Sequence, residues 1–93
     1  MEKDIYIHKA NIMKALSNPV RLRIIDLLSS GEKCVCEIFK ELDLEQSHIS
    51  KNLTVLKKAG IIKDRKNGLN VYYSLKIDCI KNFIDCVEHS LKN

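Results

Sequence analysis

The sequence predicts a mainly α-helical (α+β) fold of five helices, with a two-stranded β-hairpin inserted before the last. Three observations predict it. Apolar residues recur at helical spacing in four stretches ahead of Gly60. The pattern then changes to β-prone runs on either side of Asn67-Gly68. Helical spacing returns from Asp78 onward.

Each element follows from local signals. Lys3 to Leu16 carries Ile5, Ile12, Met13 and Leu16 at helical spacing, a first helix. "SNP" ends it and starts the next: Asn18 can accept backbone N–H bonds as an N-cap, and Pro19 suits a first helical turn. Val20, Ile24, Leu27 and Leu28 form the second stripe, which stops near Gly31. "CVCEIFKEL", residues 34 to 42, is a short third helix with Val35, Ile38, Phe39 and Leu42 inward. A brief turn, "DLEQ", leads to a fourth stripe of Ile49, Leu53 and Leu56, closed by Gly60 as a C-cap glycine. Glu45 before this helix is a weaker N-cap than Ser or Thr.

"IIKDR" and "LNVYYSL" then flank "KNG", a hairpin signal because Asn and Gly both tolerate positive φ. Tyr72 and Tyr73 point to opposite faces of their strand, which sends at least one to core or dimer packing. The last helix, Asp78 to Leu91, is capped by Asp78 and gathers Ile80, Phe83, Ile84, Val87 and Leu91 on one broad side. That side is too apolar to face water, and a dimer would bury it. Two short helices joined by a tight turn, the second basic and followed by a hairpin, make a winged helix-turn-helix.

Ninety-three residues without low complexity or internal repeats fit one domain, residues 1–93, of the size that often gains stability by oligomerising. The Met-Glu-Lys-Asp start lacks the order of a signal peptide, and no run of about 18 apolar residues exists, so a cytoplasmic protein that spans no membrane is expected. Its four cysteines are then expected as thiols, suited to metal binding, redox sensing or burial. No nucleophile-base-orienter order and no glycine-rich phosphate loop is present, so no enzyme and no catalytic cofactor is expected.

Charge is placed unevenly. Gln46 to Lys63 holds four lysines and no acid, whereas Glu32 to Glu45 holds five acids and two lysines. A basic middle beside an acidic neighbour suits a polyanion on one face. Gln46, Ser47, His48, Ser50, Lys51 and Asn52 crowd the first two turns of the fourth helix with groups able to pair with base edges in a major groove. Lys57 and Lys58 stand further along, suited to phosphates, and Arg65, Lys66, Asn67 and Asn70 cluster toward the hairpin tip.

Residues 15 to 75, about two-thirds of the chain, resemble the arsenical-resistance repressor (ArsR/SmtB) family. The marks are "LSNPVRLRI" at the second helix, "SKNLTVLKKAGII" through the fourth and "NGLNVYYSL" in the wing. The resemblance implies a homodimer built from the first and last helices, bound to double-stranded operator DNA and released by an inducer. This chain departs from the family pattern at Glu45, where Ser is frequent, and at Leu69, where a basic residue is frequent.

Cys34-Val35-Cys36 matches the position where arsenic-responsive members carry Cys-Val-Cys, which implies arsenite, antimonite or another thiophilic metal ion as inducer. Thiolates are soft ligands, and a helix N-terminus lowers thiol pKa. Residues two apart on a regular helix point about 200° from one another, so one ion can be shared only if the first turn is open or unwinds. Where some arsenic sensors add a third cysteine this chain has Phe39. Burial in the core is the plainer alternative for the pair.

Cys79 and Cys86, roughly 10 Å apart along a helix axis, are expected as small residues of a dimer seam. The last helix lacks the family's zinc pattern, since Asp78 is followed by Cys79 and Ile80, which leaves Asp85 and His89 as a weak pair. No cysteine precedes Cys34, and His8 alone makes no cadmium or lead site. A thiol-redox repressor using Cys34 or Cys36 with Cys79 or Cys86, and a regulator with no metal input, remain the alternatives.

Overall fold

A computed structural model describes residues 2–92 and gives the order α1 (Glu2–Leu16), α2 (Pro19–Leu28), β1 (Lys33–Cys34), α3 (Val35–Leu42), α4 (Gln46–Lys58), β2 (Ile62–Asn67), β3 (Asn70–Leu75) and α5 (Ile80–Lys92). All five expected helices are present. The sheet has three antiparallel strands, ordered β1-β3-β2, where two were expected. Lys33 pairs with Tyr73 and Cys34 with Tyr72, so the residues ahead of α3 lie on the free edge of the hairpin.

The boundaries follow from local chemistry. Asn18 Oδ1 accepts the Val20 and Arg21 N–H groups at 2.9 and 3.2 Å, and Pro19 opens α2, as expected. Helix α4 ends in a Schellman pair: the Gly60 N–H donates to the Lys57 carbonyl and the Ile61 N–H to the Leu56 carbonyl, both at 3.0 Å. Gly60 takes φ +80° there, while Ile61 and Leu56 are fully buried against the same core. One glycine thus turns the chain from α4 into the hairpin.

Ile24, Ile25, Ile38, Ile49, Leu53, Leu56, Ile61 and Ile62 are the fully buried side chains. They come from α2, α3, α4, the turn at Ile61 and the start of β2, and each contributes roughly 1.5–3 kcal/mol of transfer free energy. The expected stripes of α2, α3 and α4 therefore form the centre, with Val20, Leu27, Val35 and Phe39 partly buried around it. Helix α1 is covered only at its C-terminal end: Ala15 and Leu16 are buried, whereas Ile5 and Met13 are half-exposed.

Three local expectations are corrected. Cys34 is outside α3, in β1, with extended backbone at φ −64° and ψ 147°. The hairpin turn is centred on Gly68 and Leu69, because Asn67 closes the ladder against Asn70. Gly68 alone takes positive φ, +64°, the pattern of a II′ turn, in place of an Asn-Gly centre. Helix α5 begins after Cys79, whose carbonyl accepts the Phe83 N–H at 3.3 Å, so Asp78 stands in the preceding turn and is not the cap.

Candidate nucleic-acid interface and thiol site

Helix α4 buries Ile49, Asn52, Leu53 and Leu56 and leaves Gln46, Ser47, His48, Ser50 and Lys51 exposed. At 100° per residue, Ser47, Ser50 and Lys51 share the outward face with Thr54 and Lys58, while Gln46, His48 and Lys57 stand at its borders. Thr54 belongs to this row and was legible as the i+4 neighbour of Ser50, whose carbonyl its hydroxyl reaches at 3.0 Å. Glu45, expected as a weak N-cap, makes no side-chain cap bond at all; its carboxylate accepts the Ser47 hydroxyl at 2.9 Å instead.

Asn52 is not on the outward face. It is 5% exposed, its Oδ1 accepts from Arg21 Nη1 at 2.9 Å, and its Nδ2 donates to the His48 carbonyl at 2.9 Å. Both ends of the amide are satisfied inside the protein, which removes it from the residues free to meet a base. Arg21 also donates from Nε to the Ala15 carbonyl at 2.6 Å, so one guanidinium joins the end of α1 to the first turns of α4. This positioning pair escapes a reading of periodicity because its members are 31 positions apart.

Two of the expected phosphate-binding cations hold acidic partners. Lys57 Nζ reaches Asp64 Oδ2 at 2.9 Å, and that hydrogen bond raises the lysine pKa. Arg65 donates to Glu32 from Nε and Nη2 at 2.9 and 2.8 Å, and its guanidinium lies 4.7 Å from the centre of the Tyr72 ring. The Arg65 hydrogen bond holds the Glu32 carboxyl below its ordinary value and raises the arginine in turn. Lys51, Lys58 and Lys66 make no ion pair among the described residues. Lys66, Asn67 and Asn70 are exposed at the hairpin end, beside a fully exposed Leu69.

Cys34 is buried and Cys36 exposed. Cys34 is the N-cap of α3: its Sγ accepts the Cys36 N–H at 3.3 Å, and its own N–H donates to Glu37 Oε1 at 2.9 Å, a capping box with sulfur in the usual oxygen's place. The extended backbone at Cys34 swings its side chain toward Cys36. The Cα atoms are 5.2 Å apart and the two sulfurs meet as a disulfide pair, so of the four expected thiols only Cys79 and Cys86 are free, because the extended backbone brings Cys34 and Cys36 within bonding reach. The opposed directions expected on a regular helix do not arise, because only Cys36 is on the helix.

Among the described residues no group of three or more His, Cys, Asp and Glu side chains is gathered as a metal site. Cys79 and Cys86 are both exposed and unbridged. Asp85 is engaged by Lys81 at 2.8 Å, and the same ammonium reaches Asp26 at 2.7 Å, so the acid of the weak Asp85–His89 pair is held by a lysine. On α5, Phe83 and Val87 are about half-exposed and Leu91 is 82% exposed; with Leu16, Leu22 and Ile84 they line an apolar groove. No helix among the described residues is long and apolar enough to cross a membrane.

Residues 18–64 match the bacterial regulatory protein, arsR family. The chain is 45% identical over 89 residues to an uncharacterised HTH-type transcriptional regulator of Methanocaldococcus jannaschii, covering 95% of this chain and 98% of that protein. It is 34% identical over 88 residues to an arsenical resistance operon repressor of Staphylococcus xylosus, covering 91% and 85% respectively. The solution structure of a homodimeric winged helix-turn-helix DNA-binding domain from Mycobacterium bovis, a possible ArsR-family transcriptional regulator, matches at TM-score 0.85 and 28% identity. That match covers 98% of this chain and 84% of the other.

Proposed function

Because the chain belongs to the arsR family of bacterial regulatory proteins, and the relatives just compared are transcriptional regulators and not enzymes, we propose that it is a cytoplasmic, metal(loid)-responsive repressor. It binds double-stranded operator DNA as a homodimer. Trivalent arsenic or antimony, or another thiophilic ion, releases it by binding Cys34 and Cys36.

The DNA reading rests on the exposed side of α4, where Gln46, Ser47, His48, Ser50 and Lys51 present hydrogen-bonding groups on the turns that enter a major groove in this fold. Lys58 and Lys66 serve phosphates directly, whereas Lys57 and Arg65 reach them by sharing or leaving Asp64 and Glu32. The dimer reading rests on the apolar faces of α1 and α5, which one chain alone leaves in water.

The observation that carries the inducer is the convergence of the Cys34 and Cys36 sulfurs at the start of α3, a pair that becomes two thiols on reduction. Two soft sulfur donors fit arsenic(III), and a third donor comes from water or a small thiol. A small thiol first reduces the Cys34–Cys36 disulfide, two molecules of it leaving as their own disulfide; arsenous acid then reacts without further redox change, as two S–H and two As–O bonds break, two As–S bonds form, and two waters leave. Each Cys34 Sγ committed to arsenic is withdrawn from the Cys36 N–H, so the cap of α3 is disturbed where it adjoins the sheet.

The disulfide contact between the same sulfurs favours one second reading, a thiol-redox repressor. There, peroxide oxidises both thiols to the disulfide and is itself reduced to two waters. Arsenite binding, followed by thiolate-to-arsenic absorbance in reduced protein, tests the first reading. It is expected to vanish in Cys34→Ser and Cys36→Ser and to persist in a Cys79→Ser, Cys86→Ser double variant. Binding retained by both single variants would reject the site, and operator release by peroxide with no response to arsenite would favour the redox reading.

A further inference from the structure

Cys34, Tyr72 and Arg65 stand in one row across the three strands, because Tyr72 pairs with Cys34 on one side and with Arg65 on the other. Directly paired residues of antiparallel strands point to the same face. The row is closed at both ends: the Arg65 guanidinium lies over the Tyr72 ring, and it grips Glu32, two positions before Cys34, with two hydrogen bonds. Strand β1 is only two residues long, so this fork from β2 adds a tie to a ladder that has few bonds of its own.

We propose that Glu32 and Arg65 form a latch that makes the wing, and not only the recognition helix, an output of the Cys34–Cys36 site. The proposal rests on the repressor reading above. Cys34 is held on two sides, by the cap of α3 through its sulfur and backbone N–H and by β3 through its pairing with Tyr72. An ion bound by Cys34 and Cys36 resets residues 33–36 relative to α3, and β1 shifts on β3. Glu32 carries that shift to Arg65, the wing cation expected on a phosphate, so ion occupancy and wing geometry change together. Glu32 and Arg65 act here as positioning residues: neither touches the ion.

The test compares wild type with Glu32→Gln, which keeps the side-chain volume and removes the charge. Three quantities are read in reduced protein: arsenite binding by absorbance, the ratio of operator Kd with and without saturating arsenite, and amide hydrogen exchange across residues 70–75. The expectation is that both proteins bind arsenite equally, that the Kd ratio falls about fivefold or more in the variant, and that arsenite speeds exchange at Tyr72 and Tyr73 in wild type. An equal Kd ratio in the two proteins overturns the latch, as does unchanged exchange over residues 70–75 while the operator is fully released. If arsenite neither binds nor releases wild type, the repressor reading itself fails and the latch falls with it; release in wild type with an unaltered variant rejects the latch alone.

Discussion

Cys34 combines two duties at one position, capping α3 with its sulfur and pairing with Tyr72 through its backbone. Serine keeps the first duty, since its hydroxyl is among the better N-cap acceptors. Cys34→Ser is therefore expected to unfold in urea within about 1 kcal/mol of wild type while losing arsenite binding; a collapse of stability in place of that selective loss would mark the residue as core packing. Asn52 makes the opposite case. With its amide buried between Arg21 and the His48 carbonyl, Asn52→Ala leaves both partners short of a bond and is expected to cost about 1–3 kcal/mol by chemical denaturation. A surface residue on a DNA-binding row would cost far less. Sequence pattern sorted Ile49, Leu53 and Leu56 correctly because apolar spacing reports burial directly. It misplaced Asn52 because a polar residue is buried only by virtue of its partners, and the decisive one, Arg21, belongs to another helix.

At the scale of elements, the helices were legible because caps and periodicity are local, and Asn18, Pro19 and Gly60 act where expected. Strand β1 was not, since two residues carry no period and its existence depends on a hairpin nearly forty positions later. The same absence hid the open geometry of the cysteine pair. Gly60 tests the α4–wing junction: a Cβ there would meet nothing within 4 Å, so Gly60→Ala is penalised for its φ of +80° alone. A loss of roughly 1–2 kcal/mol is expected in the urea midpoint, and no loss would mean that the turn relaxes freely.

Glu32 gives a pH signature at the same scale. Arg65 lowers its folded pKa below the ordinary 4.5, so the pair adds stability above that pH and loses it as pH falls through the lowered folded value. The stability difference between wild type and Glu32→Gln should therefore be present at neutral pH and shrink under acid; a difference constant across the acid limb would show that the ion pair is idle.

For the whole molecule, extents of 40 × 37 × 22 Å describe a flat body about two layers thick, with most of its uncovered apolar surface on α1 and α5. Val87→Asp places a charge on the α5 groove and is expected to give monomers at micromolar concentration in sedimentation, with operator affinity lower by about 100-fold or more as the linked second half-site is lost. A variant that stays dimeric would move the interface elsewhere. The central claim, that one pair of thiols governs the DNA-bound state, is tested most directly by fluorescence anisotropy. Reduced protein on the duplex upstream of its own gene is titrated with arsenite, for wild type, Cys34→Ser and Cys36→Ser. The account predicts that all three bind, that arsenite releases wild type, and that both variants stay bound. Equal release of all three, or none with DNA binding intact, would contradict it.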